Sequence, residues 1–408
     1  MNNLLKDIHV LDFTNYVAGP TTTMHMAFMS ADVVKVEMPV CGDSGRGMIN
    51  MKVGHHSGNM LQTNHGRRSI ECDIADPDGQ RLIKELLPQY DVVLEGFRPG
   101  QMKKYGLDYE SLKALKPDLI YCSISAYGQS GPYSKRPGFD LIAQAESGII
   151  SSTGDPDGEP QRVGTYMGDL VASQVALANI CAALFKRERS GEGSYLDVSL
   201  YESLAYMSSN VDIHSILGYK FTRSGNHANN SAPYGLFKGN GGKYVAICAP
   251  APRTWESLCR TMKREDLLTN ERYINMAKRI EHRLELADII QEWLSGFEDV
   301  NEAVELLQNA DVPCAKVRED WEMHECPQLT ARHFFEEVPF PPSSAEEAGR
   351  ASYQIKGLPC KTSSDCKIEN YLPIPDVGEH NYEVYGSVIS KEDLTPILER
   401  WHKKFKAY

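Results

Sequence analysis

The sequence predicts an α/β protein with a large domain on a mainly parallel sheet and a smaller α+β domain. Three observations carry this. Short β-rich runs alternate with helical ones over roughly the first 130 residues, the pattern of parallel strands joined by crossover helices. The composition turns glycine- and asparagine-rich after about residue 205. At 408 residues the chain is longer than one compact core usually organises.

In order, "IHVLDF" (8–13) and "DVVKVE" (32–37) read as strands bracketing the helical "TTTMHMAFMS". "RSIECD" (68–73) is a third strand. It precedes the helix "DPDGQRLIKELLPQY", in which Asp76 and Pro77 suit a cap followed by proline at the first helical position. "DVVLEGF" (91–97) and "LIYCSISAY" (119–127) read as buried strands around the helical "YESLKAL". The large domain is assigned to 1–205, a linker to 206–224 and the α+β domain to 225–320. Residues 321–408 are assigned to a linker and a C-terminal segment returning to the large domain, with "VPFPPSSAEEAGRAS" as a surface loop.

Composition narrows the function. The formal charge is −12, opposite in sign to the usual nucleic-acid binder, so no nucleic-acid partner is expected. No signal peptide is legible at the N-terminus and no 18 apolar residues run together, so no membrane span is expected. Ten cysteines without C-x-x-C spacing suit reduced thiols in the cytoplasm. The strands lack a G-x-G-x-x-G and the chain lacks a G-x-S-x-G, which argues against a nicotinamide oxidoreductase and a serine hydrolase. His55-His56 and His324/Cys326 have no closing ligands at usable spacing, so no metal is expected.

The stretch "RVGTYMGDLVASQVALANICAALFKRERSGEG" (162–193) poses the sharpest question. Val171, Val175, Ala178, Ala182 and Phe185 recur at helical spacing and read as a buried face. Lys186, Arg187 and Arg189 fill the last turn, and Gly191 sits where a C′ glycine belongs. The helix then starts at or just after Asp169, and aspartate is a favoured N-cap. The same position suits a nucleophile. The helix N-terminus favours an ionised carboxylate, and an aspartate near its ordinary pKa of about 3.9 needs no base at neutral pH. Gly164 and Gly168 leave room for a reactant. Position alone does not choose.

A resemblance does. "VLDFTNYVAGP", "ADVVKVEMP", "RRSIECDIADPDGQ", "EGFRPGQMKKYGLDYESLKALKPDLIYCSISAYGQSGPY", "RPGFDLIAQAESGIISSTGDPDGEPQRVG", "GDL" and "RSGEGSYLDVSLYES" resemble, in order, the blocks of the class III coenzyme A transferases, the formyl-CoA and carnitine CoA-transferase family. The resemblance implies a Rossmann-like large domain, an interlocked homodimer and no permanently bound cofactor. Its substrates would be an acyl-CoA and a free carboxylic acid. Asp169 falls on the family's nucleophile. CoA-binding positions fall on Val17, Ala18, Met38, Cys72, Asp73, Ile74, Gly96, Phe97, Arg98, Lys104 and Phe139. Gly239, Asn240, Gly241 and Gly242 resemble the loop that covers the family's site, a stretch whose composition also suits a simple turn. Many relatives carry asparagine, glutamine and arginine where this chain has Gly96, Val17 and Met38.

Two alternatives remain open at this point. The α-methylacyl-CoA racemases share the fold but need a histidine where this chain has Phe139. A CoA-binding subunit without turnover would lack the acidic residue, which is present. Tyr16, Met24, Met26, Phe139, Tyr166 and Met167 are candidates for the acid pocket; being neutral or apolar, they suggest a monocarboxylic acid over oxalate.

Overall fold

The five strands read from the N-terminal pattern all form, and they pair side by side in one direction. The computed structural model describes residues 3–48, 51–54, 56–361 and 373–406. It contains β1 (His9–Phe13), α1 (Ala18–Phe28), β2 (Asp32–Glu37), β3 (Arg67–Glu71), α2 (Pro77–Leu86), β4 (Val92–Glu95), β5 (Ile120–Ser125), α3 (Asp140–Glu146), α4 (Met167–Ser190), β6 (Ser194–Ser199) and α5 (Leu200–Tyr206). The sheet order is β3-β2-β1-β4-β5-β6, and every neighbouring pair is parallel. The chain works outward from β1 to β3, then crosses back to β4 on the other side of β1. That reversal leaves a crevice beyond the carboxyl ends of β1 and β4, where open parallel sheets take their ligands.

Two compact units emerge: Met1–Gly148, Val163–Val211 and Gln328–Tyr408 form one, and Ile149–Arg162 with Asp212–Pro327 the other. The second unit holds the antiparallel sheet β7 (Tyr234–Lys238), β8 (Tyr244–Cys248) and β9 (Cys314–Lys316). Helices α6 (Pro252–Thr261), α7 (Arg283–Ser295) and α8 (Val300–Asn309) accompany it. Its core includes Phe237, Ile247, Trp255, Leu286, Ile290 and Leu307. Its boundaries differ from the expected 225–320. The Arg223 guanidinium donates to the carbonyls of Asp155 and Gly158, and Gly225 N–H donates to Gly154 O. Such long-range bonds tie residues 149–162 and the expected linker from Asp212 onward into this unit, and no local pattern announces them.

The C-terminal stretch adds β10 (Phe335–Pro339), α9 (Pro342–Ala348), β11 (Ser352–Lys356), α10 (Asn381–Tyr385) and α11 (Lys391–Phe405) to the first unit. The expected loop around residue 345 is instead a helix inside a hairpin. Pro342 occupies the first helical position, and Gly349 ends the helix in the left-handed region at φ 64°. Helix α11 buries Leu394, Leu398 and Trp401 in the cluster that holds Leu82, Ile83 and Leu86 of α2 and Phe13 of β1.

The face read as buried on α4 requires correction. Ala172, Ala176, Leu177, Ile180, Ala183 and Leu184 are buried, with α4 packed against α1 and α5. The expected stripe is on another side: Ala178, Ala182 and Phe185 are exposed, and Val171 and Val175 half-buried. Spacing shows an apolar stripe but not which of two stripes meets the core. Helix α4 is also long and apolar enough, by length and composition, to cross a membrane, although polar residues interrupt its apolar run; in the fold one side of it packs against α1 and α5.

Trp401 is fully buried, so Trp401→Ala is expected to lower the unfolding free energy by about 3–5 kcal/mol, read as a shifted midpoint in urea denaturation.

Candidate active site

The turn after β1 rests on a buried charge network. Asp12, Lys35, Glu37, Asp43 and Arg67 are each almost fully buried. Lys35 Nζ lies 2.8 Å from Asp43 Oδ2 and donates to Thr14 O at 2.8 Å. Arg67 donates to Asp12 Oδ2 at 2.9 Å and to the carbonyls of Pro20 and Thr63. Burial pushes the Asp12 pKa up, but Lys35, Arg67 and the hydroxyls of Thr14 and Thr23 outweigh it and hold it below the ordinary value. Asp43 Oδ1 accepts the N–H of Tyr16 at 3.0 Å, fixing Tyr16 at φ 67°, a region that costs a non-glycine residue about 1–3 kcal/mol. Gly19 is required here: a Cβ would fall 2.2 Å from Thr14.

Opposite α1, the helix carrying Asp169 begins at Met167, so Asp169 lies in its first turn and is not its cap. The capping position, Tyr166, makes no side-chain cap bond. The backbone donor is satisfied from elsewhere: Gly168 N–H donates to Asp140 Oδ1 at 2.6 Å. Asp140 is buried and held by Gln144, whose amide donates to Oδ2 at 2.8 Å. Gly168 leaves room for this approach, since a Cβ there would lie 3.1 Å from Asp140 Oδ1 and 3.3 Å from Leu204 Cδ1. Asp140 was not singled out from the sequence; the signal was its place at the start of a helix after "RPGF".

The expectation of an ordinary aspartate pKa also fails. Burial first, and then the charge of Asp140, raise the Asp169 carboxyl to about 7. The favourable potential of the helix end does not overcome them. A carboxylate so placed is poorly solvated and more basic than a free aspartate, which suits attack on an electrophilic carbonyl.

The other candidates gather along the carboxyl ends of the strands. Val17 and Ala18 open α1 and are buried. Tyr16 and Phe139 are exposed, and their rings meet edge to face with centroids 5.9 Å apart. Met38 follows β2 and is exposed. Cys72 and Asp73, after β3, are buried, and Ile74 packs against the same core; that segment offers mainly backbone to a ligand. Burial pushes the Cys72 thiol well above its ordinary pKa. After β4, Gly96 is exposed and Phe97 packs against the core. Glu95 Oε2 accepts the Phe97 N–H at 2.8 Å and fixes this turn; burial raises Glu95 to about 7. Arg98, exposed, borders a cavity of about 240 Å³ with Glu95, Tyr109 and Tyr195. Lys104 is exposed and lies over the Tyr105 ring.

Two of the acid-pocket candidates fall in the core. Met24 is buried with Phe28, Val338 and Ile355, and Met26 is fully buried; both are core residues and leave the acid-pocket list. Tyr166 is exposed and Met167 half-buried, both beside Asp169 in sequence. Asn240–Gly242 form a tight turn between β7 and β8, with Gly241 and Gly242 at φ 62° and 73°; Gly239 N–H donates to Lys243 O at its base. This turn belongs to the second unit. Among the described residues, no group of three or more His, Cys, Asp or Glu is arranged to hold a metal ion. His56 meets Ser344 Oγ at 3.0 Å, and His55 lies outside the described residues.

Known proteins resemble this chain over most of its length. The family profile of CoA-transferase family III covers residues 5–381. The human succinyl-CoA:glutarate CoA-transferase is 31% identical over 398 residues, 96% of this chain and 88% of that protein. A succinyl-CoA:mesaconate CoA-transferase of Haloarcula marismortui is 36% identical over 346 residues, 83% of this chain and 86% of that one. A crystal structure of a CaiB/BaiF family protein from Brucella suis superimposes with a TM-score of 0.83 at 28% identity, covering 95% of this chain and 100% of that one.

The raised Asp169 pKa has a consequence for stability. Below about pH 4 the carboxyl is neutral folded and unfolded. Above about pH 7 it is charged in both states, and the folded state bears the burial and the Asp140 repulsion, worth at most about 4 kcal/mol. Asp169→Asn is therefore expected to be more stable than the parent at pH 8 and to lose most of that advantage toward pH 4. Urea denaturation at the two pH values measures it.

Proposed function

This chain belongs to CoA-transferase family III, and on that premise we propose that it moves coenzyme A between two carboxylic acids through covalent intermediates on Asp169. The observation that carries this reading is the division of labour at the start of α4. Asp140 satisfies the backbone donor, while burial and Asp140 leave Asp169 a basic, poorly solvated carboxylate.

The Asp169 carboxylate attacks the thioester carbonyl of the donor; the carbon–sulfur bond breaks and CoA leaves as thiolate, giving an aspartyl-acyl anhydride. The thiolate then attacks the aspartyl carbonyl, releasing the donor acid and leaving an aspartyl-CoA thioester. The acceptor carboxylate attacks that thioester, forming a second anhydride and freeing the thiolate. Attack of the thiolate on the acceptor's acyl carbon yields the new acyl-CoA and restores Asp169. One thioester is exchanged for another, so no outside energy source enters. Carboxylates serve as covalent catalysts in this way, and the oxyanion of each tetrahedral step calls for oriented N–H donors. Phe139 bears no titratable proton, which speaks against racemisation. We place the CoA along the carboxyl rim from Val17 to Arg98, with Lys104 alongside.

The acids now favoured differ from the sequence expectation. The relatives are named for succinyl-CoA with glutarate or mesaconate, both dicarboxylates, and two of the apolar residues that suggested a monocarboxylic acid are core. We therefore assign succinyl-CoA and a short dicarboxylic acid as the pair to test first. The exposed Ala178, Ala182 and Phe185 are apolar surface that a partner chain would cover, which supports the interlocked homodimer. The nine described cysteines are free thiols, which suits a reducing, cytoplasmic setting.

Purified protein with succinyl-CoA and a panel of acids is expected to transfer CoA, and hydroxylamine added during turnover to leave a hydroxamate at Asp169 in the peptide mass spectrum. Asp169→Asn should lower transfer by at least about three orders of magnitude; near-normal turnover refutes the scheme. Because the nucleophile must be ionised, kcat/KM for the parent should rise with pH through about 7 and level off above it.

A further inference from the structure

The last turn of α11 carries His402, Lys403 and Lys404, with Lys406 at its C-cap, in a chain whose net charge is −12. Helix polarity accounts for cations at that end but not for where they sit. His402 Nε2 lies 2.8 Å from Glu71 Oε2, and Lys404 Nζ lies 2.5 Å from Asp73 Oδ2. The basic turn is thus laid across the carboxyl end of β3. Glu71 also accepts the N–H of Val40 at 2.8 Å, which joins the turn to the loop leaving β2. It therefore stands on the rim where an open parallel sheet receives its ligand.

The inner cations of that rim are committed to buried partners: Lys35 to Asp43, Arg67 to Asp12 and Arg46 to Glu37. Lys404 is likewise held by a buried carboxylate and differs from them in its own exposure. Its side chain is 50% exposed while that of Asp73 is only 5% exposed, so the pair presents its positive member to solvent and hides the negative one. Without Lys404, Asp73 would repel an approaching anion; with it, the spot is neutral overall and positive at its outer surface.

Coenzyme A ends in a ribose 3′-phosphate next to a diphosphate. We propose that Lys404, seated on Asp73, receives the 3′-phosphate of CoA, an assignment that rests on the CoA-transferase reading above. A phosphate held by an ammonium forms charge-assisted hydrogen bonds, and Asp73 keeps the lysine from swinging away. Helix α11, far along the sequence from every strand of the sheet, then contributes directly to substrate binding in addition to filling the core.

Calorimetric titration of the full chain with CoA and with 3′-dephospho-CoA tests this. The parent should bind CoA about tenfold or more tighter than the dephospho form. Lys404→Ala should weaken CoA to the dephospho level while leaving 3′-dephospho-CoA unchanged. Lys404→Arg should keep the preference, as should Lys391→Ala, a charge loss at the opposite end of the same helix. A Lys404→Ala protein that still prefers CoA as the parent does overturns the proposal, as does a parent that binds both equally. A parent that binds neither overturns the CoA reading with it. Should Lys404→Ala melt early, salt titration of the parent decides: a preference that shrinks with added salt supports the contact, and one indifferent to salt overturns it.

Discussion

A closed set of buried charges fixes the geometry of the β1–α1 turn, and the site depends on that turn. Asp12, Glu37 and Asp43 are set against Lys35, Arg46 and Arg67, three of each sign. A buried charge whose partner is removed destabilises by about 3–5 kcal/mol, so these residues are held as a group. What the network secures is conformational. Lys35 anchors the carbonyl of Thr14, Asp43 holds the amide of Tyr16 in the left-handed region, and Arg67 ties the first turn of α1 to the end of the helix Gly58–Thr63, which lies between β2 and β3, through the carbonyls of Pro20 and Thr63. The mouth of the crevice is thereby set before any ligand arrives, as a binding site for a large cofactor-like substrate requires.

Across α1, a second economy operates at the start of α4. A helix end needs acceptors for its leading amides, and a side chain at the N-cap is the usual supplier. Asp140 does that work from a neighbouring helix, so Asp169 is not engaged in capping. The arrangement couples two acids: burial, and then the charge of the capping Asp140, raise the pKa of Asp169. An ionised carboxylate in that position is destabilising to the fold that holds it.

Helix α4 is apolar on two sides, and one of them, ending at Phe185, lies open in the single chain. At the C-terminus α11 fills the core with Trp401 and Leu398 and lays its basic end across the carboxyl end of β3.

Period and turn chemistry were local enough to read directly. Five of the six strands of the sheet, the Asp76 cap with Pro77 behind it and the glycine ending α4 follow from neighbouring residues, because a strand or a cap is decided within a few positions. Asp169 was visible as a residue with two possible roles, and its family blocks named one of them. The rest was decided in three dimensions. Which face of α4 is buried, that Asp140 caps it, that Met24 and Met26 belong to the core, and that residues 149–162 join the second unit all depend on partners far away in sequence. The Asp169 pKa is of the same kind: desolvation and a neighbouring charge are properties of a surrounding volume, which a linear string of residues does not contain.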